Sequence, residues 1–572
     1  MLRREGTPLN FGELNLTSRP SASELGKQID QATAAGEGLE IVCSKSGLHS
    51  QSSGSARLLD EGDGGRNAPL ALLIGPSEVA QGFPGFLSSP NSKQSSVANG
   101  QKKKHVLVVP FPTHAHVAAV YRLALQLAQR GATITFVTHA DEAPKMRKYE
   151  ELQGLDFNFI TYAESVVQIP PHQFPAIVGF ASNLSEVFEP ILQELQVRQQ
   201  AGQSPPTCII YDRFCTGVAD ISEKLGIPYY TFYSNGALFA RYMQEAPRLL
   251  TDGNPFVSNG DGTFQLYDGL VNIPGLPPIP GPYMLESSFS KPSWRIRTGR
   301  VMQNAPAVII NTFYELEKPQ IDEIRRQCAE QAAASGRKTS EVFLVGPLSE
   351  AATFKDRSFA PGVSQSENGR AECLQWLDTQ KPQSVIFICM GSMGRWKPTQ
   401  VEELALALEA ADVSFLWVLT SSREALPAGF EQRLNESGKG YLATGWVPQL
   451  EILQHTAVGG FLSHCGWNST IESVSLGVPM LCWPQMAEQP LNCRVMVDVM
   501  KVGLEVGQFT FQGPGPVGRE ELERAFRRLM FEEEGKAMRS RVQDLKLKAQ
   551  TAVAEGGASR RAVDDLWKMI PE

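Results

Sequence analysis

The sequence predicts an α/β protein built from two doubly wound, Rossmann-like domains that face a cleft. Three observations predict it. First, His105-Val-Leu-Val-Val-Pro110 is a continuous apolar run, followed by apolar residues at helical spacing (Val117, Val120, Ala124, Leu127) and then by a second run, Ala132–Thr138. Unalternated apolar runs belong to strands buried on both faces, and β–α–β units of this kind build a parallel sheet with right-handed crossovers. Second, a polar stretch at 349–371, containing Gly, Ser and Pro, reads as a linker. Third, the pattern restarts after it at Ser384-Val-Ile-Phe-Ile-Cys389 and continues through Phe415-Leu-Trp-Val418 and Gly459-Gly-Phe-Leu-Ser463.

Taken in order, the 572 residues fall into four stretches. In 1–100, 29 residues are Gly or Ser and there is little periodicity, so too little apolar surface is available to offset ordering entropy. A disordered extension is expected there. A targeting peptide is disfavoured because Glu5, Glu13, Glu24 and Asp30 are acidic. Residues 101–348 form the first domain. Its helix, Val117–Arg130, should stop at Gly131, and further strands lie at Thr207–Tyr211 and Tyr229–Tyr233. The passage Ile273-Pro-Gly-Leu-Pro-Pro-Ile-Pro-Gly-Pro282 must be irregular. Residues 372–572 form the second domain. Its charged, helical Glu520–Ala554 region leads to a last helix expected to pack back on the first domain.

The net charge of −8 argues against a nucleic-acid partner. No apolar run approaches the roughly 18 residues of a membrane span. Nine scattered cysteines without a Cys-x-x-Cys pair read as reduced thiols of a cytoplasmic protein.

The most informative segment runs from Trp446 to Gln489. An apolar strand ends at Ser463-His464, a tight turn follows at Cys465-Gly466-Trp467, and Asn468 and Ser469 are good caps for a helix ending at Gly477. A strand, a Gly turn and a helix N-terminus together make an anion site, because free N–H groups and the positive dipole end point at a phosphate. His464 stands beside that position. Glu472, one turn into the helix, suits a ribose diol, and Trp446 suits stacking on a base. In the first domain, Pro110-Phe-Pro-Thr-His114-Ala-His116 places two histidines after the first strand, and Thr207–Tyr211 ends at Asp212. Neighbouring strands ending at one edge would bring imidazole to carboxylate, which makes a general base.

The 446–489 segment resembles the signature box of the plant secondary-product UDP-dependent glycosyltransferases, in length and in its His-Cys-Gly-Trp-Asn-Ser-Thr core. The resemblance runs from about His105 to the C-terminus. It includes Asn311-Thr-Phe-Tyr-Glu-Leu-Glu317, Val345-Gly-Pro-Leu348, Trp376-Leu-Asp378, Gly391-Ser392 and Glu555-Gly-Gly-Ala-Ser559. It implies the two-domain GT-B fold and transfer of glucose from UDP-glucose to a hydroxyl of a small lipophilic acceptor (phenolic, terpenoid or hormone), with inversion. By position, it implies His116 as base and Asp212 as its partner. Trp446 and the Val447 backbone would hold uracil, and Gln449 and Glu472 the ribose. His464, Gly466, Asn468, Ser469 and Ser392 would hold the diphosphate. Trp467, Glu488 and Gln489 would contact the sugar, with Ser234 reaching the donor. Gln489 in the last place favours glucose over galactose. Glu488 replaces the usual Asp.

The loop departs from the family at His114, Ala115 and Ala119, which stand where Gln, Gly and Pro are usual; His114 therefore competes for the base role. No Asp-x-Asp motif is present, so a metal clamp is not expected. No separate cofactor is expected either, and a monomer is. Galactose or xylose as donor sugar, and a catalytically inactive sugar-nucleotide binder, remain as alternatives. A nicotinamide enzyme would need a Gly-rich first turn, which Pro110–His116 lacks, and a serine hydrolase would need Gly-x-Ser-x-Gly.

The acceptor would be shaped by the apolar, Pro-rich loops Val166–Phe180 and Pro274–Ser287. Residues 1–100 supply none of these positions. A chain beginning near Gln101 is expected to keep full activity, measured as UDP released from UDP-glucose. Loss of folding or turnover would give the extension a role.

Overall fold

The computed structural model describes residues 2–4, 39–43, 70–74, 103–147, 152–162, 205–251, 269–284, 292–348, 371–391, 396–419, 423–510 and 513–572. Within 1–100, where the composition predicts no structure, three strands are found: Leu2–Arg4, Leu39–Cys43 and Leu70–Ile74. They form an antiparallel sheet with Leu39–Cys43 in the middle. This corrects the expectation for those residues. Leu39-Glu-Ile-Val-Cys43 and Leu70-Ala-Leu-Leu-Ile74 are short aliphatic runs of the kind that pair as strands. The rest of 1–100 lies outside the described residues.

The first large sheet has seven parallel strands. In spatial order they are Phe157–Tyr162, Thr133–His139, His105–Val109, Cys208–Asp212, Tyr229–Tyr233, Ala307–Ile310 and Glu341–Leu344. Numbered along the chain, this is the order 3-2-1-4-5-6-7. The second sheet has six parallel strands, Gly440–Ala443, Ser414–Val418, Val385–Cys389, Val458–Ser463, Met480–Cys482 and Gly503–Glu505, in the order 3-2-1-4-5-6. Both are doubly wound, and each reverses its winding between its first and fourth strands. Ligands in such sheets bind at that reversal, beyond the carboxyl ends of the strands.

Alternate strand residues feed opposite faces, as the pleat requires. Leu107 and Val109 join one buried cluster of the first sheet, and Val106 and Val108 the other. In the second sheet Val385 and Phe387 face one layer, while Ile386 and Ile388 face the other. Every residue of Cys208–Asp212 and Tyr229–Tyr233 is buried. This accounts for their largely apolar character, with Thr231 and Asp212 as buried polar exceptions.

Two boundaries differ from the sequence expectation. The first helix spans His114–Gln129 and begins before Val117, because the Thr113 carbonyl already accepts the His116 and Val117 N–H groups at 3.0 and 2.9 Å. The charged Glu520–Ala554 region is two helices, Arg519–Phe531 and Glu533–Val553, separated by Glu532 in extended backbone. The expected linker at 349–371 lies outside the described residues except for Ala371, which caps the helix Glu372–Asp378.

The last helix, Ala558–Met569, packs against the first sheet's layer through Val563 and Leu566. Polar contacts fasten it there. The Arg130 guanidinium donates to Asp564, Lys104 Nζ to the Trp567 and Ile570 carbonyls, and Ser559 to the Gly346 carbonyl. Leu566→Ala removes a fully buried side chain and should lower stability by about 2–5 kcal/mol. The check is the midpoint of thermal unfolding, with Leu547→Ala, 62% exposed on the preceding helix, expected to change little.

Candidate active site

The strand His105–Val109 pairs in parallel with Cys208–Asp212, Val109 opposite Tyr211. Both strands end at the winding reversal of the first sheet. The chain leaves the first through Pro110-Phe-Pro112, and Thr113 starts the helix. His116 therefore sits in the first helical turn, directly over Asp212. Its Nδ1 lies 2.7 Å from Asp212 Oδ2. The Asp212 side chain has no solvent exposure, and its other oxygen accepts the Phe214 N–H at 3.0 Å. With Nδ1–H directed at the carboxylate, Nε2 is left with its lone pair. The Phe111 and Phe214 rings meet the imidazole edge-on at 5.3 and 5.2 Å, so the ring is held in plane by apolar walls.

Ser234 Oγ also lies 2.9 Å from His116 Nδ1 and donates to Asn235 Oδ1 at 3.5 Å. Ser234, expected to reach the donor, thus stands beside the His116–Asp212 pair. The helix Ala237–Thr251 that follows this loop is anchored by Glu317. This fully buried carboxylate accepts the Ala237 and Leu238 N–H groups, both at 2.7 Å, and the Thr312 hydroxyl at 2.6 Å. Burial raises its pKa, and those bonds oppose the rise. A carboxylate at a helix N-terminus is favoured by the free N–H groups and the dipole. The Glu317 of the Asn311–Glu317 match thereby has a structural reason.

The second winding reversal carries the other half. The strand Val458–Ser463 ends at His464, and the helix Trp467–Leu476 begins at Gly466 with no side chain capping it. Asn468 and Ser469 lie inside the first turn, two and three residues past the capping position that Gly466 takes. The helix N-terminus is left open for an anion. His464 lies against Gly391, which has φ +70°; a Cβ there would come within 2.7 Å of the imidazole. Burial pushes the His464 pKa down to about 4, so the ring is neutral at ordinary pH and offers an N–H rather than a charge. Gln449 Nε2 donates to Ser469 Oγ at 3.1 Å and to Glu472 Oε2 at 2.8 Å, joining three expected donor residues in one hydrogen-bonded set. Trp446 is 40% exposed and Val447 is buried beneath it.

Other expected residues are differently placed. The Trp467 indole N–H donates to the Asn311 carbonyl at 2.8 Å, and its ring lies where a Cβ on Gly236 would come within 2.5 Å. Its side chain therefore joins the two domains. The Asn468 amide donates to the Ala115 carbonyl at 3.0 Å, across to the helix that carries His116. Gln489 Oε1 accepts the Gln485 and Met486 N–H groups at 2.9 and 3.0 Å; its NH₂ end is not used in those bonds. Ser392, the His114 side chain, the loop Val166–Phe180 and residues 285–287 lie outside the described residues.

Arg213 escaped the sequence reading. It is 2% exposed, its guanidinium lies 3.9 Å from the Phe214 ring centroid, and its Nε donates to Asn235 Oδ1 at 2.9 Å. Burial lowers its pKa, opposed first by Asp212 and then by Glu488, an expected sugar-contacting residue of the other domain. Its only sequence signal was its place directly after Asp212.

The family model described as "UDP-glucoronosyl and UDP-glucosyl transferase" matches residues 359–528. The chain is 33% identical over 493 residues to the abscisate β-glucosyltransferase of Phaseolus angularis, covering 81% of this chain and 95% of that one. It is 30% identical over 484 residues to the anthocyanin 3'-O-β-glucosyltransferase of Gentiana triflora, covering 80% and 96%. A Medicago truncatula glycosyltransferase crystallised with UDP-glucose superposes with a TM-score of 0.67 at 28% identity, covering 82% of this chain and 98% of that one. With the two facing sheets, these matches make the chain a member of the UDP-dependent glycosyltransferases of plant type, with the GT-B fold.

Proposed function

We propose that the enzyme transfers glucose from UDP-glucose to a hydroxyl of a small lipophilic acceptor, giving a β-glucoside and UDP. The observation that carries the reading is the 2.7 Å His116–Asp212 pair at one winding reversal, facing an uncapped helix N-terminus at the other. Relatives named for abscisate and anthocyanin support acceptors of the hormone and phenolic classes. With acceptors of those classes, the reading extends to a role in secondary metabolism.

In the proposed reaction, His116 Nε2 takes the proton of the acceptor hydroxyl. The oxygen attacks the anomeric carbon from the face opposite the diphosphate, the C1–O bond to UDP breaks, and the configuration inverts. Asp212 holds the imidazole tautomer and stabilises the imidazolium that forms. Trp446 stacks on uracil, and Gln449 and Glu472 take the ribose. The N–H groups at Gly466–Ser469 and the neutral His464 meet the charge developing on the leaving diphosphate. Glu488 and the Gln489 amide serve the glucose hydroxyls. Holding both substrates in one cleft supplies a further share of the rate.

We read the location as cytoplasmic: the eight described cysteines are free thiols, which suits a reducing compartment. No helix among the described residues is long and apolar enough to cross a membrane.

His116→Ala should lower kcat by roughly 10²–10⁴-fold while leaving the KM for UDP-glucose near its original value. Steady-state UDP release with a panel of phenolic, terpenoid and hormone acceptors checks it. Undiminished turnover in this variant, with loss instead in His114→Ala, would move the base to the rival histidine. Absence of turnover with every acceptor, alongside retained UDP-glucose binding, would favour a sugar-nucleotide binder.

A further inference from the structure

The catalytic helix His114–Gln129 and the donor helix Trp467–Leu476 belong to different domains, yet they touch twice in register. The Asn468 amide reaches the Ala115 carbonyl at 3.0 Å, and Arg122 Nη1 lies 4.0 Å from Glu472 Oε1. Ala115 and Arg122 are seven residues apart, nearly two full turns, so they lie on one face of their helix. Asn468 and Glu472 are four apart and share a face of theirs.

We propose that Arg122 is a positioning residue of the donor site supplied by the acceptor domain: it holds the Glu472 carboxylate ionised and aimed for the ribose diol of a nucleoside diphosphate sugar. Donor binding thereby depends on the closed arrangement of the two domains. The inference rests on the reading of Glu472 as the ribose acceptor. Glu472 is 7% exposed, and burial raises its pKa, with Arg122 and then the Gln449 amide opposing the rise. The other groups facing it carry no positive charge. Gln449 is neutral, and the Cys389 thiol at the end of the first strand of the second sheet is pushed up to about 11 and stays protonated. Arg122 is the one cation paired with Glu472 among the described residues. Without it, a buried carboxylate beside a thiol and an amide would take up a proton at higher pH and lose one of its acceptor oxygens.

The test measures kcat and the KM for UDP-glucose and for the acceptor, from pH 6 to 8, in Arg122→Met, Arg122→Lys, Glu472→Gln and the double variant Arg122→Met/Glu472→Gln. Arg122→Met should raise the donor KM roughly tenfold, with kcat and the acceptor KM nearly unchanged. Its donor KM should climb as the pH falls, because the raised carboxylate pKa is no longer held down. Arg122→Lys keeps the charge and should recover most of the affinity. The double variant should be no worse than Glu472→Gln alone. An unchanged donor KM in Arg122→Met, or parallel losses in kcat and both KM values with a lowered thermal midpoint, overturns the proposal. A silent Glu472→Gln overturns the ribose reading itself. An impaired Glu472→Gln with a silent Arg122→Met overturns only the role of Arg122.

Discussion

A carboxylate sealed from water must have its oxygens satisfied by protein donors, and Asp212 is such a carboxylate at the end of a central strand. One oxygen takes the Phe214 N–H and the other faces His116 Nδ1. An unsatisfied buried charge would shift its own ionisation or destabilise the strand. The loop Pro110–Thr113 and the first turn of the catalytic helix are therefore held to the conformation that brings imidazole to carboxylate. Much else follows from that pair. The imidazole orientation is set, Nε2 is directed away from the sheet, and the Phe111 and Phe214 rings pack against its edges. The Ser234–Asn235 loop closes the far side, itself held by the helix that Glu317 anchors.

The second constraint is that the two sheets act together. Each offers its winding reversal, and the chemistry needs both within one reach. Several contacts of different kind hold them. The Trp467 ring is wedged over Gly236 with its N–H on the Asn311 carbonyl, and Asn468 reaches the catalytic helix. The Tyr283 hydroxyl donates to Glu505, which also accepts from Arg494. Leu491 and Val495 of the second domain enter the core of the first, and Phe313 and Leu316 of the first enter that of the second. The last helix returns to cover the first sheet. Residues within 446–489 thus serve two ends: Gln449, Ser469 and Glu472 form one hydrogen-bonded set, whereas Trp467 and Asn468 fasten the domains.

Much of the fold was legible in the sequence because its evidence is local. A strand buried on both faces must be an unbroken apolar run, and a helix that stops at Gly131 or Gly477 needs a residue tolerant of positive φ. Those requirements are met within a few residues and can be read one segment at a time. The start of the catalytic helix was misplaced because the carbonyl of Thr113, which cannot be read from residue type, caps it. The open helix start at Gly466 was misread for a related reason: Asn468 and Ser469 have capping side chains, but those side chains are engaged by Ala115 and Gln449.

The sequence by itself determined the two doubly wound domains, the strand–turn–helix unit after Ser463 and the residue types available for an imidazole–carboxylate pair. These depend on periodicity, chain punctuation and side-chain chemistry. Only the tertiary structure decided which atoms meet. His116 and Asp212 are 96 residues apart in the chain, and a strand order places their side chains 2.7 Å apart. Tertiary packing also brought Ser234 to His116, the Trp467 N–H to a carbonyl of the other domain, Arg213 to a buried place against Phe214 and Asn235, and Arg122 to within 4.0 Å of Glu472. Each of these depends on how the few hydrogen-bonding groups and charges within reach are shared once water is excluded, and that sharing exists only when distant segments have been packed together.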